Sequence, residues 1–423
     1  MQEYLFGSTR VAADADDLQL HLVKAYRAKL RPLCACQPEG VPMYIAHVGD
    51  HYVIKRMPDS GAQHKYGLCS SYETPAELSG RGAVLGQAIQ DSGDETALRL
   101  DFALTKTVGK SAPEATGHER DTVRTDGAKL TLRGLLHYLW DEAGLNRWSP
   151  AMEGRRGWSL VRRELLAAMF GKTAKRAPLD AQVFVPETWS KERDAELTAH
   201  RIKATAGLAQ SGRSKPMMIV IGEVKEIVLA RDGAKLVAKH LANFPFMLDA
   251  DLRRRFDKRF ANALALWDGV DGAHLVFIGT FGLAPTGIAV LSALSVMVVT
   301  ARWIPFEDMY DHLLLEALTD GDRRFVKGLR YNLAEDQALA SAVLTDTDVP
   351  TALYVLTPGT PASGREALHA LVSASAVAAW TWDADEPMQT LPLAKGAPRW
   401  LPAPGIATRT AAGAGGFDPE AAL

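Results

Sequence analysis

All three cysteines of this 423-residue chain lie within its first 69 residues. Uniform scatter would place them there only about once in two hundred trials, so their clustering constrains the fold more than any other feature. Cys34 and Cys36 flank a single residue, and Cys69 follows His64 closely. Between the two pairs, Met43–Val48 and Tyr52–Met57 are apolar or β-branched runs separated by Gly49-Asp50, a pattern that predicts a β-hairpin. A hairpin that returns two ligand pairs to one point matches how small structural zinc sites are built, with four N/S donors in a tetrahedron and no position open to substrate. Cys34, Cys36, His64 and Cys69 are therefore expected to hold one zinc ion. His47 and His51 compete for the fourth place; His64 is preferred because it shares a tight, Gly67-containing loop with Cys69. Three cysteines are too few for a disulfide framework, and no basic-then-apolar leader opens the chain, so a reducing cytoplasm is the expected compartment.

With 47% hydrophobic and 23% charged residues, the chain has the means to bury large cores, and its length predicts two to four domains. A formal net charge of −2 excludes global attraction to polyanions, so any basic surface must be local. Leu275–Ala301 carries no charge and is long enough to span a bilayer. Gly279, Gly282, Pro285 and Gly287 interrupt it. It divides instead into a strand at Leu275–Phe281, a turn, a short helix near Ile288–Leu294 and a strand at Val296–Thr300, and no membrane partner is expected.

The remaining pattern gives an α+β, multidomain chain. An N-terminal zinc-binding domain spans residues 1–127, with a helix at Asp16–Leu30, a strand at Thr96–Leu104 and a polar linker from Thr105 to Lys129. A helix-turn-helix or winged-helix-like segment follows at 128–180, with helices at Leu132–Ala143 and Leu160–Phe170. A central α/β domain covers 181–304, with strands at Ala181–Val185 and Met217–Val224 and one long helix over Asp249–Trp267. A C-terminal α/β domain covers 305–390, with a helix at Glu307–Leu318 and strands at Phe325–Leu329, Ala342–Thr345 and Ala352–Leu356. The Ala/Gly/Pro-rich tail, 391–423, is expected to be disordered.

Residues 147–176 concentrate positive charge, with Arg147, Arg155, Arg156, Arg162, Arg163, Lys172, Lys175 and Arg176 against only Glu153 and Glu164. Trp148 and Trp158 are interleaved with them. Two short helices with basic residues at the start of the second are compatible with a DNA-binding unit, in which Arg147, Arg155, Arg156, Arg162 and Arg163 neutralise phosphates. A solvated helical face is the simpler account of the same charges. Glu223-x-Lys225, at a strand end, resembles half of a nuclease metal site, but the spacing is common by chance and no upstream aspartate completes it. There is no phosphate-binding glycine loop, no nucleophile elbow, no dinucleotide fingerprint and no zinc-protease motif, so no small-molecule substrate is identified and no residue is assigned a catalytic role.

Cys34-x-Cys36, the hairpin ending in Ile54-Lys55-Arg56-Met57-Pro58, the stretch from His64 through Cys69-Ser70-Ser71-Tyr72-Glu73, Arg324–Tyr331 and Ala342–Thr347 together resemble an uncharacterised bacterial family marked by three N-terminal cysteines. The likeness runs over nearly the whole chain. It implies a gene carried on plasmids and integrative conjugative elements, with mobile-element proteins as partners, and it supplies no mechanism. A second likeness covers Trp303 to Asp385, where a helix bearing Glu316 precedes Phe325-x-Lys327-Gly328-Leu329 and a strand–turn–strand. This order is similar to the restriction-endonuclease-like fold. Where active members carry metal-binding carboxylates and a lysine, this chain has approximately Ser341, Tyr354 and Leu356, which implies a degenerate, inactive scaffold. The expected function is a non-enzymatic, zinc-stabilised, DNA-associated accessory protein of a mobile element. A protein-interaction scaffold of a conjugation assembly and a metal-dependent nuclease centred on Glu223 and Lys225 are the alternatives.

Overall fold

The computed structural model describes residues 2–48, 51–57, 60–66, 69, 71–91, 95–107, 127–209, 214–241, 243–334 and 337–396. Most of the linker expected at Thr105–Lys129, and the tail beyond residue 396, lie outside the described residues.

The first module is one antiparallel sheet. Its strands are β1 (Glu3–Phe6), β2 (Thr9–Ala12), β3 (Leu33–Cys34), β4 (Val41–Val48) and β5 (His51–Arg56), in the order β2-β1-β3-β4-β5. Val41, Met43 and Ile45 are buried at alternate positions of β4, the period-two signature of a half-buried strand. The expected hairpin is β4–β5, paired from Met43↔Arg56 to Val48↔His51. Helix α1 (Leu18–Arg27) is shorter than the expected Asp16–Leu30 and buries Leu22 and Ala25.

Next come β6 (Ile89–Asp91), β7 (Thr96–Leu98), β8 (Thr105–Thr107), α2 (Leu132–Glu142), β9 (Arg147–Trp148), α3 (Trp158–Met169), β10 (Lys172–Ala174) and β11 (Ala177–Pro178). A sheet of order β6-β7-β10-β11 joins residues near 90 to residues near 175, across the boundary drawn at 127/128. Thr131 caps α2 by accepting the Gly134 N–H at 3.0 Å. That helix is buried along Gly134–Trp140, nearly all round its axis. Residues 143–157, including β9, separate α2 from α3, in place of the short turn of a helix-turn-helix. The inner face of α3 (Trp158, Val161, Leu165, Ala168, Met169) packs into the same core as α2. Helix α2 is buried nearly all round, whereas α3 keeps Ser159, Arg163 and Ala167 exposed on its outer face.

The centre of the molecule is a closed barrel. After β12 (Val183–Phe184), α4 (Asp194–Thr205) and β13 (Ser214–Pro216, paired with β8) come β14 (Met218–Ala230), β15 (Gly233–Ala238), β16 (Phe246–Asp249), α5 (Ala250–Arg259), α6 (Ala261–Gly269), β17 (His274–Leu283) and β18 (Ala289–Val299). The five strands from β14 to β18 pair in the cyclic order β14-β15-β16-β18-β17-β14, with β16 and β18 parallel and every other pair antiparallel. The long strand β14 serves both halves: Met218–Glu223 pair with β17, and Val224–Ala230 pair with β15. A register shift between Val224 and Glu226 marks the bend between them, the device by which strands turn barrel corners. Gly233 (φ +136°) opens β15, and a Cβ there would lie 2.0 Å from the Leu248 carbonyl oxygen, so the tight β14–β15 connection requires glycine. Phe246, Phe277 and Phe281 fill the interior with edge-to-face contacts.

This topology corrects two sequence expectations. The segment read as a helix near Ile288–Leu294 is the start of strand β18, because β17 offers it a full antiparallel ladder from Leu283↔Ala289 onward. The single helix expected over Asp249–Trp267 breaks at Phe260 (φ −112°, ψ 20°) into α5 and α6. The wall formed by β14, β17 and β18 is also buried on both faces. Ile219, Ile221, Val276, Ile278, Met297 and Val299 pack outward against α2 and α3, whereas Val220, Leu275, Phe277 and Val298 pack inward. A strand buried on both faces reads as a continuous apolar run, which accounts for the uncharged stretch at 275–301. Among the described residues, no helix is long and apolar enough to cross a membrane.

The C-terminal part holds α7 (Met309–Asp320), β19 (Phe325–Lys327), β20 (Ala342–Leu344), β21 (Thr351–Leu356), α8 (Ala362–Ala374) and β22 (Ala378–Asp383). Its sheet runs β22-β21-β20-β19-β9, so it borrows an edge strand from residues 147–148, across two of the expected boundaries.

Candidate metal centre

Strand β3 places Cys34 opposite Tyr4 in the N-terminal sheet, and the turn that follows carries Cys36 back beside it. At the far end of the β4–β5 hairpin, a single helical turn at Gly61–Gln63 is closed by His64 in an extended conformation. A tight turn follows, in which the Cys69 N–H donates to the Lys65 carbonyl oxygen at 3.1 Å. The two ends meet. Cys34 Sγ lies 3.6 Å from Cys69 Sγ, and His64 Nδ1 lies 3.4 Å from Cys36 Sγ and 3.5 Å from Cys69 Sγ. All four donor atoms fall within 4.8 Å of one another.

These separations can be tested against coordination geometry. Bonds of about 2.3 Å to sulfur and about 2.0–2.1 Å to nitrogen give a tetrahedron with edges of about 3.8 Å between sulfurs and about 3.6 Å between sulfur and nitrogen. The three distances above lie within about 0.2 Å of those edges. Three of the six edges therefore match a four-coordinate ion, the others lie within 4.8 Å, and the group could hold a metal.

The surroundings favour a thiolate at Cys69. Backbone N–H groups of Lys65 and Ser71 donate to Cys36 Sγ and Cys69 Sγ, each at 3.4 Å. The Gln2 side-chain amide donates to Cys34 Sγ at 3.9 Å. The Cys69 thiol is pulled down to about 3, first by the hydrogen bond from Cys34 and then, against burial, by His64 and the Ser71 N–H. Cys34 is pushed up as the proton-holding partner of that pair. Cys34, His64 and Cys69 are buried and Cys36 is half-buried, so no broad opening faces solvent. His64 Nδ1 faces the Cys36 and Cys69 sulfurs and is the candidate ligand nitrogen, and Nε2 is buried without a hydrogen-bond partner among the described residues. The side chains of His47 and His51, the competing ligands, lie outside the described residues.

The metal loop also ties the module to the rest of the chain. The Tyr66 hydroxyl, between two ligands in sequence, donates to the Leu344 carbonyl oxygen at 2.8 Å and meets Thr347 Oγ1 at 2.9 Å. Just beyond the loop, Glu73 pairs with Arg56 and Arg81, and Arg81 reaches Asp141 and Glu142 of α2, both at 3.1 Å. A cleft of about 430 Å³ lies along this junction, lined by Glu73, Arg81, Asp141, Asn146 and Lys327 among others.

The five arginines singled out in the sequence fare differently. Arg156 turns inward to the carbonyl oxygens of Leu145 (2.8 Å) and Arg147. Arg162 donates to the Val185 carbonyl oxygen at 3.1 Å. Arg163 is exposed and held by the neighbouring Glu164, Arg147 is half-buried, and Arg155 is exposed. The charge run therefore does not form one cationic stripe. Glu223 is buried at 4% exposure and accepts from His274 Nδ1 at 2.7 Å and Lys239 at 2.8 Å, with His240 Nε2 at 3.8 Å. Burial raises its carboxyl, and the bonds from His274 and Lys239 outweigh that to hold it below the usual range. Lys225 is exposed at the β14 register shift, so the Glu-x-Lys spacing does not gather a nuclease pair. Sequence reading missed this Glu223–His274–Lys239 cluster, because its members lie far apart in the chain and only the barrel closure joins them. At the positions implied for nuclease carboxylates, Tyr354 is buried in β21 and the Ser341 N–H donates to Leu353 within the sheet.

No curated protein and no solved structure matches the chain. One family model matches residues 4–385, close to its whole length. The chain belongs to that family, described as Protein of unknown function (DUF1173).

Proposed function

We propose that the chain is a zinc-stabilised, non-enzymatic accessory protein that holds nucleic acid on the open face of its barrel. The observation that carries this reading is the strand order β14-β15-β16-β18-β17-β14, with helices between the third and fourth strands and the third and fifth strands parallel. That is the connectivity of the OB-fold, a five-stranded barrel whose second and third strands and adjoining loops take oligonucleotides or oligosaccharides. Fold alone carries no function, so the face must be argued from its side chains. The corresponding strands here are β15 and β16, where exposed Lys235 stands opposite Met247. Val228 and Leu229 at the β14–β15 loop and Ile288 at the β17–β18 loop are exposed apolar residues. Cations beside apolar platforms suit a single strand, whose phosphates and bases need one of each. Exposed Arg155 and Arg163 add phosphate contacts.

The metal is zinc in this reading, since three thiolates and an imidazole at these separations suit its bond lengths and leave no open position. The C-terminal sheet is a nuclease-like scaffold without the carboxylates needed for hydrolysis. Mobile-element proteins are its proposed partners.

Filter binding of single-stranded and duplex oligonucleotides at low and moderate salt tests the reading. Retention should fall as salt rises, and Lys235→Ala and Arg155→Ala should each lower the salt slope by about one. Absence of retention of either form at low salt would dismiss it. That result would favour the alternative, a protein-interaction scaffold, for which the 78% exposure of Leu229 at a hairpin tip is the supporting feature. Plasmid nicking with magnesium or manganese should stay silent, because Glu223 is already engaged by His274 and Lys239.

A further inference from the structure

The cleft of about 430 Å³ where the metal loop, α2 and the C-terminal sheet meet falls in the ~300–1,000 Å³ range of sites that enclose a small ligand. Pro75, Leu78, Leu329 and Val343 give it apolar walls. Its cations are all spent. Arg81 meets Glu73, Asp141 and Glu142, Lys327 meets Asp311 and the Gly328 carbonyl oxygen, and Arg147 is likewise partnered. The carboxylates Glu73, Asp141 and Glu142 are matched in number by Arg56, Arg81 and Lys172. An anion would find no free counter-charge there and a cation no excess negative charge, so the cleft suits an uncharged ligand.

Two acceptors of the wall remain open. Asn146 is 3% exposed and donates its Nδ2 to Asp141 Oδ1 at 2.9 Å and to the Lys327 carbonyl oxygen at 3.2 Å. Both partners are acceptors, so the amide cannot be turned round. Its Oδ1 is left buried with no donor among the described residues. Glu73 spends Oε1 on Arg56 and Arg81, and its Oε2 has no partner among the described residues. Gly61 makes room for that side chain, since a Cβ there would lie 2.5 Å from Glu73 Cβ and 2.9 Å from Oε2. An unmet buried acceptor is costly, so the pair calls for a ligand that brings N–H donors.

We propose that this cleft binds an uncharged planar base whose adjacent N–H donors are accepted by Asn146 Oδ1 and the Glu73 carboxylate, with its ring against the apolar walls. Guanine is the standard nucleobase with two such donors side by side, the ring N1–H and the 2-amino group. The other bases present their donor beside an acceptor, which would leave one oxygen of the pair unmet. A free guanine nucleoside and an unpaired guanine in a strand present the same edge. The inference goes beyond the barrel reading and does not rest on it. Guanosine carries no phosphate, so its binding and the salt-dependent retention of strands can fail separately.

Equilibrium dialysis of the full chain against radiolabelled guanosine tests it. One saturable site per chain is expected, and inosine, which lacks the 2-amino group, should compete about tenfold less well. Glu73→Gln keeps the shape of the side chain and an oxygen for the two arginines, but turns the open atom into a donor. It should weaken guanosine binding by about tenfold. Ala62→Trp, at an exposed position of the wall, places a large ring in the cleft and should abolish binding. A parent chain with no saturable binding, equal competition by inosine, or a Glu73→Gln chain that binds like the parent overturns the proposal. Should Glu73→Gln fail to fold, unchanged binding by Ala62→Trp overturns it instead. With the site established, displacement of guanosine by a thymidine strand carrying one guanine, but not by the all-thymidine strand, identifies a strand as the source. No displacement by either identifies the free nucleoside.

Discussion

Ten buried residues form the core of the N-terminal sheet among the described residues, and two of them, Cys34 and Cys69, belong to the group that could hold a metal ion. Thirty-one form the core shared by the barrel and the C-terminal sheet, none of them a ligand. The two regions hold their folds by different physics. A small sheet with a single covering helix buries too little apolar area to balance its chain entropy, and a metal held by the Cys3His group would supply the difference. The barrel closes on itself, fills its interior with phenylalanine and buries one wall on both faces, so packing suffices.

The largest effect expected from that contrast is the loss of the metal. Cys69→Ser, or chelation, should release the ion and disorder the N-terminal sheet, because a structural metal's binding free energy is folding free energy. Elemental analysis with limited proteolysis would show cleavage in residues 3–56 while 214–299 stays protected. Uniform cleavage through both regions would break the comparison.

A cavity in the barrel should act the other way. Phe277 is 0% exposed, and Phe277→Ala should cost about 3–5 kcal/mol in urea unfolding. Metal content should be unchanged.

Acid should probe the seam between α2 and the C-terminal region. His137 is buried, and its Nδ1 accepts the Tyr331 N–H at 2.9 Å. Burial, helped by the Arg133 cation, holds its pKa down to about 3 from an ordinary 6.5. Because the folded value is the lower one, the unfolded chain takes up the proton first. Stability is therefore lost as pH falls from about 6.5 towards 3. The Tm of the parent should drop more steeply over that window than the Tm of His137→Gln. Equal slopes would remove His137 from the account, and comparing the variants cancels the acid sensitivity of the metal ligands themselves.

The smallest effect concerns the tie between the regions. Tyr66→Phe deletes the hydroxyl that bonds Leu344 and Thr347, and should cost about 1–2 kcal/mol. If the metal loop couples the module to the C-terminal sheet, unfolding should also separate into two transitions, visible by calorimetry. A single unchanged transition would show that the coupling runs through Arg81 and its carboxylates instead.

Much of the metal centre was legible because its signal is local in type and short in range. Cysteine is rare in this chain, its pairs sit at ligand spacing, and the hairpin between them announces itself by alternation and a Gly-Asp turn. The strands of the barrel were partly legible as apolar runs. Their closure was not, and the helix expected at Ile288–Leu294 shows why: Ala, Leu and Ile there suit either conformation, and the partner strand β17 decides. Helices α4 and α8 escaped notice because each buries little, Thr205 in one and Leu368 in the other, so no apolar stripe marks them.

The arginines are the clearest case of what a sequence leaves open. Composition says how many charges a segment carries, not which way each side chain turns. Arg156 and Arg162 bend back to backbone carbonyl oxygens, whereas Arg155 is exposed. By itself the amino-acid order picked out the four candidate metal donors, the hairpin that joins them and apolar strands of the core, all set by residue type and near-neighbour spacing. The closed barrel, the pairing of Glu223 with His274 and the inward turn of Arg156 were decided only by tertiary structure. Each depends on geometry that no local pattern encodes, the first two on contacts between residues far apart in the chain.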